Sequence, residues 1–303
     1  MIKNLGTNKV HIVVLTWNNK DLLKRCLESI ENINYSANMY DYNNFTINVI
    51  DNNSSDNSIE MIENEFPKVN VTRNNKNLKF GSGYNSGLKK MNFDDNDFIV
   101  LLNDDTIVSR DFIYELINPL LNDKKAIISV PKILYSSDIN KIWYAGGVVD
   151  LWKGLIYHIG IRDFDGPKYS FLGETQYATG CCLCLRYKDF KKLNFFDETF
   201  DMYCEDVDLS LKARQLNRKI IYAPKSIILH SVSQSLGEHS YKKNIMKLKN
   251  QLKIFWKHAT GIQLISISFY WLLFHLPYQL ISCLLYTSPS PRDNLPSRMP
   301  SSA

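Results

Sequence analysis

Two adjacent aspartates, Asp104 and Asp105, follow an apolar run at residues 98–102 that is typical of a buried strand. Ligands of open α/β sheets bind beyond the carboxyl ends of the strands, so the pair is expected at a ligand-binding edge. Carboxylates are costly to bury without a partner, and this favours a divalent metal held against a phosphate. A solvated turn between a strand and a helix is the alternative interpretation of an isolated Asp-Asp pair.

A second group of carboxylates, Glu205, Asp206 and Asp208, opens a predicted helix. The helix dipole favours acidic residues in a first turn, so capping is one explanation. A carboxylate here could instead accept a proton from a hydroxyl nucleophile. Adjacent side chains point in different directions, so Glu205 and Asp206 are expected to differ in role. His230 ends a predicted strand and is a plausible further metal ligand if it lies near Asp105.

Polar groups also end other predicted strands. Asn18 follows the first strand, and Asp51 ends the second. Asp51 could accept a hydrogen bond from a base or a ribose, or it could simply begin a turn. The glycine-rich segment at residues 81–87 resembles a phosphate loop but has neither dinucleotide-binding spacing nor a Lys-Ser/Thr ending.

Alternating strand and helix patterns must position these groups, and they predict a three-layer α/β fold. Helical spacing of apolar residues follows the first strand, Pro67 closes the second helix, and Ser109 is a candidate cap of a later one. Residues 143–173 are rich in Gly and aromatics and are expected to form hairpins and loops over the carboxyl edge of the sheet. The predicted strands are residues 11–16, 46–51, 69–72, 98–102, 127–130, 179–185, 219–222 and 227–230.

Composition excludes a disordered chain and a disulfide scaffold. The 303 residues are 45% hydrophobic and carry a net charge of +5. Cys181, Cys182 and Cys184 share an apolar stretch without a matching pair at zinc-ligand spacing, so reduced, buried cysteines are expected. The polar N-terminus shows no secretory signal, which favours a cytoplasmic protein.

The C-terminal part changes character at about residue 237. Residues 237–282 combine a lysine-rich amphipathic stretch with an apolar segment, 259–282, that lacks Asp, Glu, Lys and Arg. The apolar segment is long enough to span a bilayer, but its polar residues favour a position in the membrane interface or against the rest of the protein. An ordinary helix docked on the main domain is the alternative. Residues 283–303 resemble a translated transposase sequencing adaptor and are expected to be foreign.

The order and spacing of these motifs resemble glycosyltransferase family 2, the inverting nucleotide-sugar transferases of GT-A type fold, and more closely its rhamnosyltransferase-like branch. The resemblance spans roughly residues 10–236, and we take residues 1–236 as one domain of GT-A type. It rests on Val14-Leu15-Thr16-Trp17-Asn18-Asn19, Ile50-Asp51-Asn52-Asn53-Ser54-Ser55-Asp56, Leu101-Leu102-Asn103-Asp104-Asp105-Thr106, Gly146-Gly147-Val148-Val149-Asp150, Phe196-Asp197-Glu198-Thr199-Phe200, Tyr203-Cys204-Glu205-Asp206-Val207-Asp208-Leu209 and His230.

The resemblance implies a role for each matching residue. Asp105 would be the chief ligand of Mg²⁺ or Mn²⁺, assisted by His230 and Asn103, and Asp206 would be the general base with Glu205 beside it. The residues that would bind the nucleotide sugar are Thr16, Trp17, Asn18, Asp51, Asn85 and Asp104. Two departures concern the backbone and the metal: Asn103 replaces the first acid of a full Asp-x-Asp motif, and Lys79 stands where the branch usually has Gly.

The expected reaction is transfer of a sugar, rhamnose on branch resemblance, from a nucleoside diphosphate to a glycan or lipid-linked acceptor in cell-surface polysaccharide synthesis. A peripheral position at the inner face of the cell membrane would suit a lipid-linked acceptor, and no nucleic acid is implied. A sugar nucleotidyltransferase is an alternative, but it would need a Gly-rich loop after the first strand, and residues 15–20 contain no Gly. A degenerate relative that only binds carbohydrate or a partner is the other alternative.

Overall fold

The computed structural model describes residues 8–33, 45–232 and 241–277. The predicted foreign tail and the end of the predicted apolar segment lie outside these residues. In the first half of the chain, strands alternate with helices as the sequence predicts. The elements are β1 (Val10–Thr16), α1 (Lys20–Glu31), β2 (Phe45–Asp51), α2 (Ser58–Glu65), β3 (Asn70–Arg73), α3 (Gly81–Leu88), β4 (Phe98–Asn103), β5 (Thr106–Val108), α4 (Phe112–Asn122) and β6 (Ala126–Tyr135).

The second half builds hairpins over the sheet and then returns to it. The remaining elements are β7 (Asp138–Tyr144), β8 (Gly147–Asp150), β9 (Leu155–His158), β10 (Gly173–Thr175), β11 (Cys182–Arg186), α5 (Tyr187–Lys192), α6 (Glu205–Gln215), β12 (Lys219–His230), α7 (Tyr241–His258) and α8 (Gly261–Tyr270). A 3₁₀ turn at Pro167–Tyr169 precedes β10, and a π-helical turn at Trp271–His275 follows α8.

One mixed sheet of ten strands organises the described residues, with the order β10-β12-β6-β11-β4-β1-β2-β3, β5 added beside β12 and β7 beside β6. The β1 strand is parallel to both β2 and β4, and its register sets Thr16 beside Asp51 and Leu15 beside Asn103. The carboxyl ends of these parallel strands therefore meet at one edge, which is where the sequence predicts ligand binding. The β8–β9 hairpin forms a separate two-stranded sheet.

The core forms where helices cover both faces of the central strands. Every residue of β4 up to Leu102 is buried, which explains why its sequence is continuously apolar instead of alternating. The α1 helix buries one stripe against the sheet, formed by Leu22, Leu23, Cys26, Leu27 and Ile30. The five cysteines of the described residues are free and buried, which confirms the expectation of reduced core cysteines.

Two local predictions are wrong. Residues 219–222 and 227–230 belong to one strand, β12, which pairs with β6 across a bulge between Ala223 and Ile227. Pro224 lies within this irregularity, where its missing N–H does not interrupt the ladder. Ser109 does not cap α4: the cap position is Asp111, without a side-chain bond, and the Ser109 carbonyl accepts the Phe112 N–H.

The two C-terminal helices pack on the domain through one side each. In α7, Asn250, Ile254 and Phe255 are buried. In α8, Ile267 is buried and Ser266 Oγ donates to the Trp152 carbonyl at 2.8 Å in the β8–β9 hairpin. Across the described ranges, no helix combines the length and the apolar character that crossing a bilayer requires.

Candidate active site

The acidic turn after β4 lies against the end of β12. The short β5 strand pairs with β12 so that Thr106 is opposite His230, and this pairing brings two parts of the chain together. As a result, His230 Nε2 lies 3.2 Å from Asp105 Oδ2. The turn itself is closed by a hydrogen bond of 2.7 Å from Thr106 Oγ1 to the Asn103 carbonyl. Two predicted metal ligands, Asp105 and His230, are therefore neighbours.

Two polar atoms of this pair are buried without a hydrogen-bond partner: Asp105 Oδ1 and His230 Nδ1. The ring of Trp143 packs edge-on against His230, with 4.5 Å between the ring centres, and fixes its orientation. An unsatisfied buried carboxylate oxygen is the feature expected where a divalent cation binds. Nowhere in residues 8–33, 45–232 and 241–277 do three or more His, Cys, Asp or Glu side chains converge as a metal cage. Mg²⁺ is commonly held by one or two carboxylates plus substrate phosphates and waters, so the residues fit such an ion.

Asp104 points the other way, toward the β1–α1 turn. It accepts hydrogen bonds from Thr16 Oγ1 at 2.7 Å and from Asn19 Nδ2 at 3.0 Å. Burial, together with the neighbouring charge of Asp105, raises the pKa of Asp104 to about 7, although these hydrogen bonds oppose the shift. Asp104 thus ties the acidic turn after β4 to the strand end that carries Trp17 and Asn18.

The nucleotide-binding residues predicted at the first two strand ends come together. Asn18 adopts a left-handed conformation, with φ of 51°, and its Oδ1 accepts a hydrogen bond of 2.7 Å from the Ser55 N–H. Asp51 is buried, and its Oδ1 accepts from the Ser54 N–H at 2.9 Å. Beside them is a cleft of about 260 Å³, lined in part by Asp51, Ser54 and Arg73. Trp17 is 49% exposed at the same edge.

The side chains of Asp206, the predicted base, and of its neighbour Glu205 point in different directions. Asp206 Oδ2 accepts a hydrogen bond of 2.7 Å from the Gly180 N–H, and its Oδ1 accepts one of 2.8 Å from Val207 N–H. Glu205 is 4% exposed, faces α3 near Gly81, and its Oε2 is buried without a partner. Burial raises the pKa of both carboxyl groups, that of Glu205 to about 8. A carboxylate with a raised pKa is a stronger proton acceptor once it is ionised.

The segment at Gly180 and Cys181 connects the two acidic groups. Gly180 binds Asp206, while the next carbonyl, that of Cys181, accepts a hydrogen bond of 3.0 Å from the Asn103 N–H. The thiol of Cys181 also feels the charges of both Asp105 and Asp206, which help burial to raise its pKa. The turn that carries the predicted metal ligands and the helix start that carries the predicted base are therefore joined through residues 180–181.

Asn85 has a different environment from the other predicted nucleotide-binding residues. Its Nδ2 donates to the Phe196 carbonyl at 2.9 Å and to Glu198 Oε1 at 3.1 Å, and its Oδ1 accepts from the Phe196 N–H at 3.2 Å. The side chain is 3% exposed and borders a cleft of about 550 Å³ together with Lys89 and Lys212. Asn85 therefore holds the loop at Phe196 and Glu198, and its role in nucleotide binding stays a prediction.

Three residues near the site were not singled out from the sequence. Arg73 pairs with Asp51 in the β2–β3 register, and its position at a strand end was the available signal. Trp143 orients His230. Lys247, on α7, lies over the Tyr203 ring at 5.2 Å, and its charge acts on Asp206 in the direction that lowers the pKa. The contacts of Trp143 and Lys247 depend on distant parts of the chain, which local patterns do not reveal.

Comparisons with known proteins agree with this architecture. The chain is 24% identical over 235 residues to rhamnosyltransferase WbbL of Escherichia coli (strain K12), a match that covers 73% of this chain and 83% of WbbL. Over 61 residues, 20% of each chain, it is 34% identical to N-acetylglucosaminyl-diphospho-decaprenol L-rhamnosyltransferase of Mycobacterium tuberculosis.

Solved structures share the fold. The structure of GalNAc-T7 with UDP, GalNAc and Mn²⁺ matches with a TM-score of 0.63 at 19% identity, over 82% of this chain and 47% of that one. Mannosyltransferase PcManGT from Pyrobaculum calidifontis, in complex with GDP-Man and Mn²⁺, matches with a TM-score of 0.60 at 14% identity, over 96% of this chain and 79% of that one. The fold is thus that of GT-A glycosyltransferases. The model of glycosyl transferase family 2 matches residues 11–193, which is more than half of the chain, and the chain therefore belongs to glycosyl transferase family 2.

Proposed function

We propose that this glycosyltransferase moves a sugar from a nucleoside diphosphate donor to a hydroxyl of a glycan or lipid-linked acceptor, with inversion at the anomeric carbon. One observation carries the proposal: the turn of Asp105, whose Oδ1 is buried without a partner beside His230, and the half-buried base candidate Asp206 are joined through hydrogen bonds to Gly180 and Cys181. A leaving diphosphate and an attacking hydroxyl need a cation on one side and a base on the other.

The donor side is proposed at the ends of β1, β2 and β4. Asp51 and Arg73 border the cleft offered to the nucleoside, and Thr16 holds Asp104 in place beside Asp105. Asp105 and His230, with Asn103 next to them, would hold Mg²⁺ or Mn²⁺, which supplies positive charge to the leaving diphosphate. Mn²⁺ in the GalNAc-T7 and PcManGT structures supports a divalent ion here without distinguishing the two metals.

The acceptor side is proposed at the start of α6. Asp206 removes the proton of the acceptor hydroxyl as that oxygen attacks the anomeric carbon, and the proton remains on the carboxylate until it exchanges with solvent. A single displacement inverts the configuration of that carbon, by analogy with inverting glycosidases. Glu205 is buried beside the base, and the charge of Asp206 adds to burial in raising the pKa of Glu205 to about 8.

The first donor to test is a nucleoside diphosphate rhamnose, because WbbL and the mycobacterial relative are rhamnosyltransferases. The printed name of the mycobacterial relative also suggests a lipid acceptor, N-acetylglucosamine on a diphospho-prenol. Release of nucleoside diphosphate from a panel of nucleotide sugars should be measured with Mn²⁺ and with a chelator, with and without a short-chain acceptor of this type. We expect Mn²⁺-dependent release from one donor, increased by the acceptor. If the chelator does not change the release of nucleoside diphosphate, the metal assignment is contradicted. If no donor releases nucleoside diphosphate, a degenerate relative that only binds its ligand is favoured.

A position at the inner face of the cell membrane is proposed from the surface of α7 and α8. Residues 241–258 contain six lysines and no acid. Apolar side chains at helical spacing are exposed on both helices; they are Ile245, Leu248, Leu252, Trp256, Ile262, Ile265 and Phe269. Lysines next to exposed apolar residues are typical of helices that lie in the interface of anionic membranes. The domain boundaries at residues 236 and 282 remain predictions.

Co-sedimentation with vesicles of mixed phosphatidylglycerol and phosphatidylcholine tests this surface. The double variant Leu252→Gln/Ile265→Asn should bind several-fold less than the unchanged protein. Leu216→Gln/Ile139→Asn is the matched control, because Leu216 is 43% and Ile139 58% exposed outside the two helices, against 48% for Leu252 and 60% for Ile265. Equal sedimentation of both double variants would contradict the membrane proposal.

A further inference from the structure

The turn that aims the predicted base has an unusual backbone. Tyr203 and Cys204, the two residues before α6, both adopt left-handed conformations, with φ of 72° and 71°. Residues with side chains rarely adopt this conformation, and two in succession need support from their surroundings. The turn directly precedes Glu205 and Asp206, so its shape decides where these carboxylates point.

Asn250 of α7 supplies such support. Its Nδ2 donates hydrogen bonds to the carbonyls of Met202, at 2.7 Å, and of Tyr203, at 2.9 Å. The side chain is 5% exposed, so water does not substitute for these bonds. An amide offers two N–H donors from one nitrogen, whereas a carboxylate or an alkyl side chain offers none.

The helix that carries Asn250 is itself held firmly. At its C-terminal end, Lys257 and His258 contact the buried carboxylate of Asp208, one turn into α6. Nearer Asn250, Lys253 Nζ donates to the Thr199 carbonyl at 2.8 Å. Since α7 has these other attachments, loss of the Asn250 side chain should leave the helix docked and affect the turn.

We propose that Asn250 is a positioning residue for the base: by holding the carbonyls of Met202 and Tyr203, it keeps the left-handed turn in shape and so directs Asp206 toward Gly180 and the acceptor. The proposal rests on the proposed function of Asp206. Asn250 acts through the turn and does not touch the donor, whose proposed binding groups are on β1, β2 and β4.

The test compares initial rates of Asn250→Ala and Asn250→Asp with those of the unchanged chain. The probes are a nucleoside diphosphate rhamnose with Mn²⁺ and the short-chain N-acetylglucosaminyl diphospho-prenol acceptor. Asn250→Asp keeps the shape of the side chain and removes its donors. Asn244→Ala is the matched control, because Asn244 is exposed on the same helix. We expect kcat to fall by roughly 10- to 100-fold for both Asn250 variants, since small displacements of catalytic groups cost up to about this much. The KM for the donor should change less than about twofold and thereby report an intact nucleotide site.

A double-mutant cycle with Asp206→Asn separates positioning from general damage. If Asn250 acts through Asp206, adding Asn250→Ala to Asp206→Asn should lower the residual rate much less than Asn250→Ala lowers the rate of the unchanged chain. The positioning role is overturned if Asn250→Ala lowers the rate by the same factor in both backgrounds. It is also overturned if the kcat of Asn250→Ala is close to that of Asn244→Ala. A near-normal rate of Asp206→Asn alone would instead show that the proposed base is wrong, and this result is read independently of Asn250.

Discussion

Asp208 joins the helix of the predicted base to the C-terminal helix α7, and its removal should measurably destabilise the protein. The carboxylate is 0% exposed. His258 Nε2 lies 2.7 Å and Lys257 Nζ 2.6 Å from its Oδ1, and Lys212 Nζ lies 3.0 Å from Oδ2. Gln215 Nε2 donates to the other ring nitrogen of His258 at 3.1 Å, which leaves Nε2 as the donor to Asp208. Asp208→Asn would keep the shape of this cluster and remove its negative charge.

The expected change in the free energy of unfolding depends on which partners of Asp208 keep another negatively charged group. Removing one member of a buried ion pair typically costs about 3–5 kcal/mol. Here Lys257 is 34% exposed and keeps a second carboxylate, Asp197, at 2.7 Å, so part of that cost is recovered. We therefore expect Asp208→Asn to lower the free energy of unfolding by about 2–3 kcal/mol. For a chain of this size, that change corresponds to a fall in Tm of roughly 5–10 °C.

Thermal unfolding followed by circular dichroism at several pH values is the assay. Burial alone would raise the pKa of Asp208, but the contacts with His258, Lys257 and Lys212 outweigh it and lower the pKa. A carboxylate with a lowered pKa stabilises the fold above its unfolded pKa of about 4 and loses this contribution as the pH falls through the folded value. The Tm difference between the two proteins should thus be full at neutral pH and shrink in acid.

The control is Asp201→Asn, which removes a 68% exposed carboxylate paired with Lys79 and should change stability by less than about 1 kcal/mol. The reasoning about Asp208 is refuted if Asp208→Asn melts within about 1 °C of the unchanged protein at neutral pH, or if the difference grows on acidification.

Three further expectations concern the site and its supports. Asp105→Asn should weaken Mn²⁺ binding in calorimetric titrations with nucleoside diphosphate present, and unchanged affinity would argue against Asp105 as a ligand. Burial raises the pKa of Glu205 to about 8 and also raises that of Asp206, so the base is protonated in acid. We therefore expect kcat to increase with pH, with a midpoint above the ordinary carboxyl range. A kcat that stays constant down to a pH of about 5 would contradict this. Gly147→Ala would place a Cβ 2.1 Å from the buried Tyr177 ring and should cost about 1–3 kcal/mol in chemical denaturation, whereas Gly166→Ala, with open space around it, should not.

The fold was largely predictable because its signals are local. The continuous apolar run of β4 and the helical stripe of α1 are each complete within a short window of sequence. Local signals failed where contacts with distant parts of the chain outweigh the local preference of a residue. Two strands were predicted, at residues 219–222 and 227–230, yet pairing with β6 continues on both sides of the bulge that contains Pro224. Ser109 suggested a cap, but its N–H bonds to the Ile227 carbonyl of β12 and ties the residue to the sheet.

The sequence predicted the types of residue in the candidate site, but it predicted fewer of the contacts between them. Strand ends predicted that Asn18, Asp51 and Asp105 lie at a ligand-binding edge, and the parallel pairing of β1 with β2 and β4 brings those strand ends together. The contact of Asp105 with His230 depends on the pairing of β5 with β12, and the contact of Asn250 with the 202–203 carbonyls depends on the docking of α7. Neither pairing leaves a pattern within a short stretch of sequence.

Lys79 is a different kind of case, because it departs from the pattern of the family branch that it otherwise matches. The residue keeps a left-handed backbone, with φ of 64°, which is the conformation that Gly adopts freely. Its N–H donates to Asn77 Oδ1 at 2.8 Å, and its carbonyl accepts from Asn52 Nδ2 at 2.8 Å. Two asparagine side chains thus hold Lys79 in the backbone conformation that Gly adopts freely.

Asp206 is proposed to activate an acceptor hydroxyl for a single displacement on a nucleotide sugar. The most direct measurement is NMR of the product formed from an anomerically pure donor by the unchanged protein and by Asp206→Asn. We expect a product of inverted anomeric configuration, formed about 10²- to 10⁴-fold more slowly by the variant. Retention of configuration, or a variant that forms the product at a near-normal rate, would contradict it.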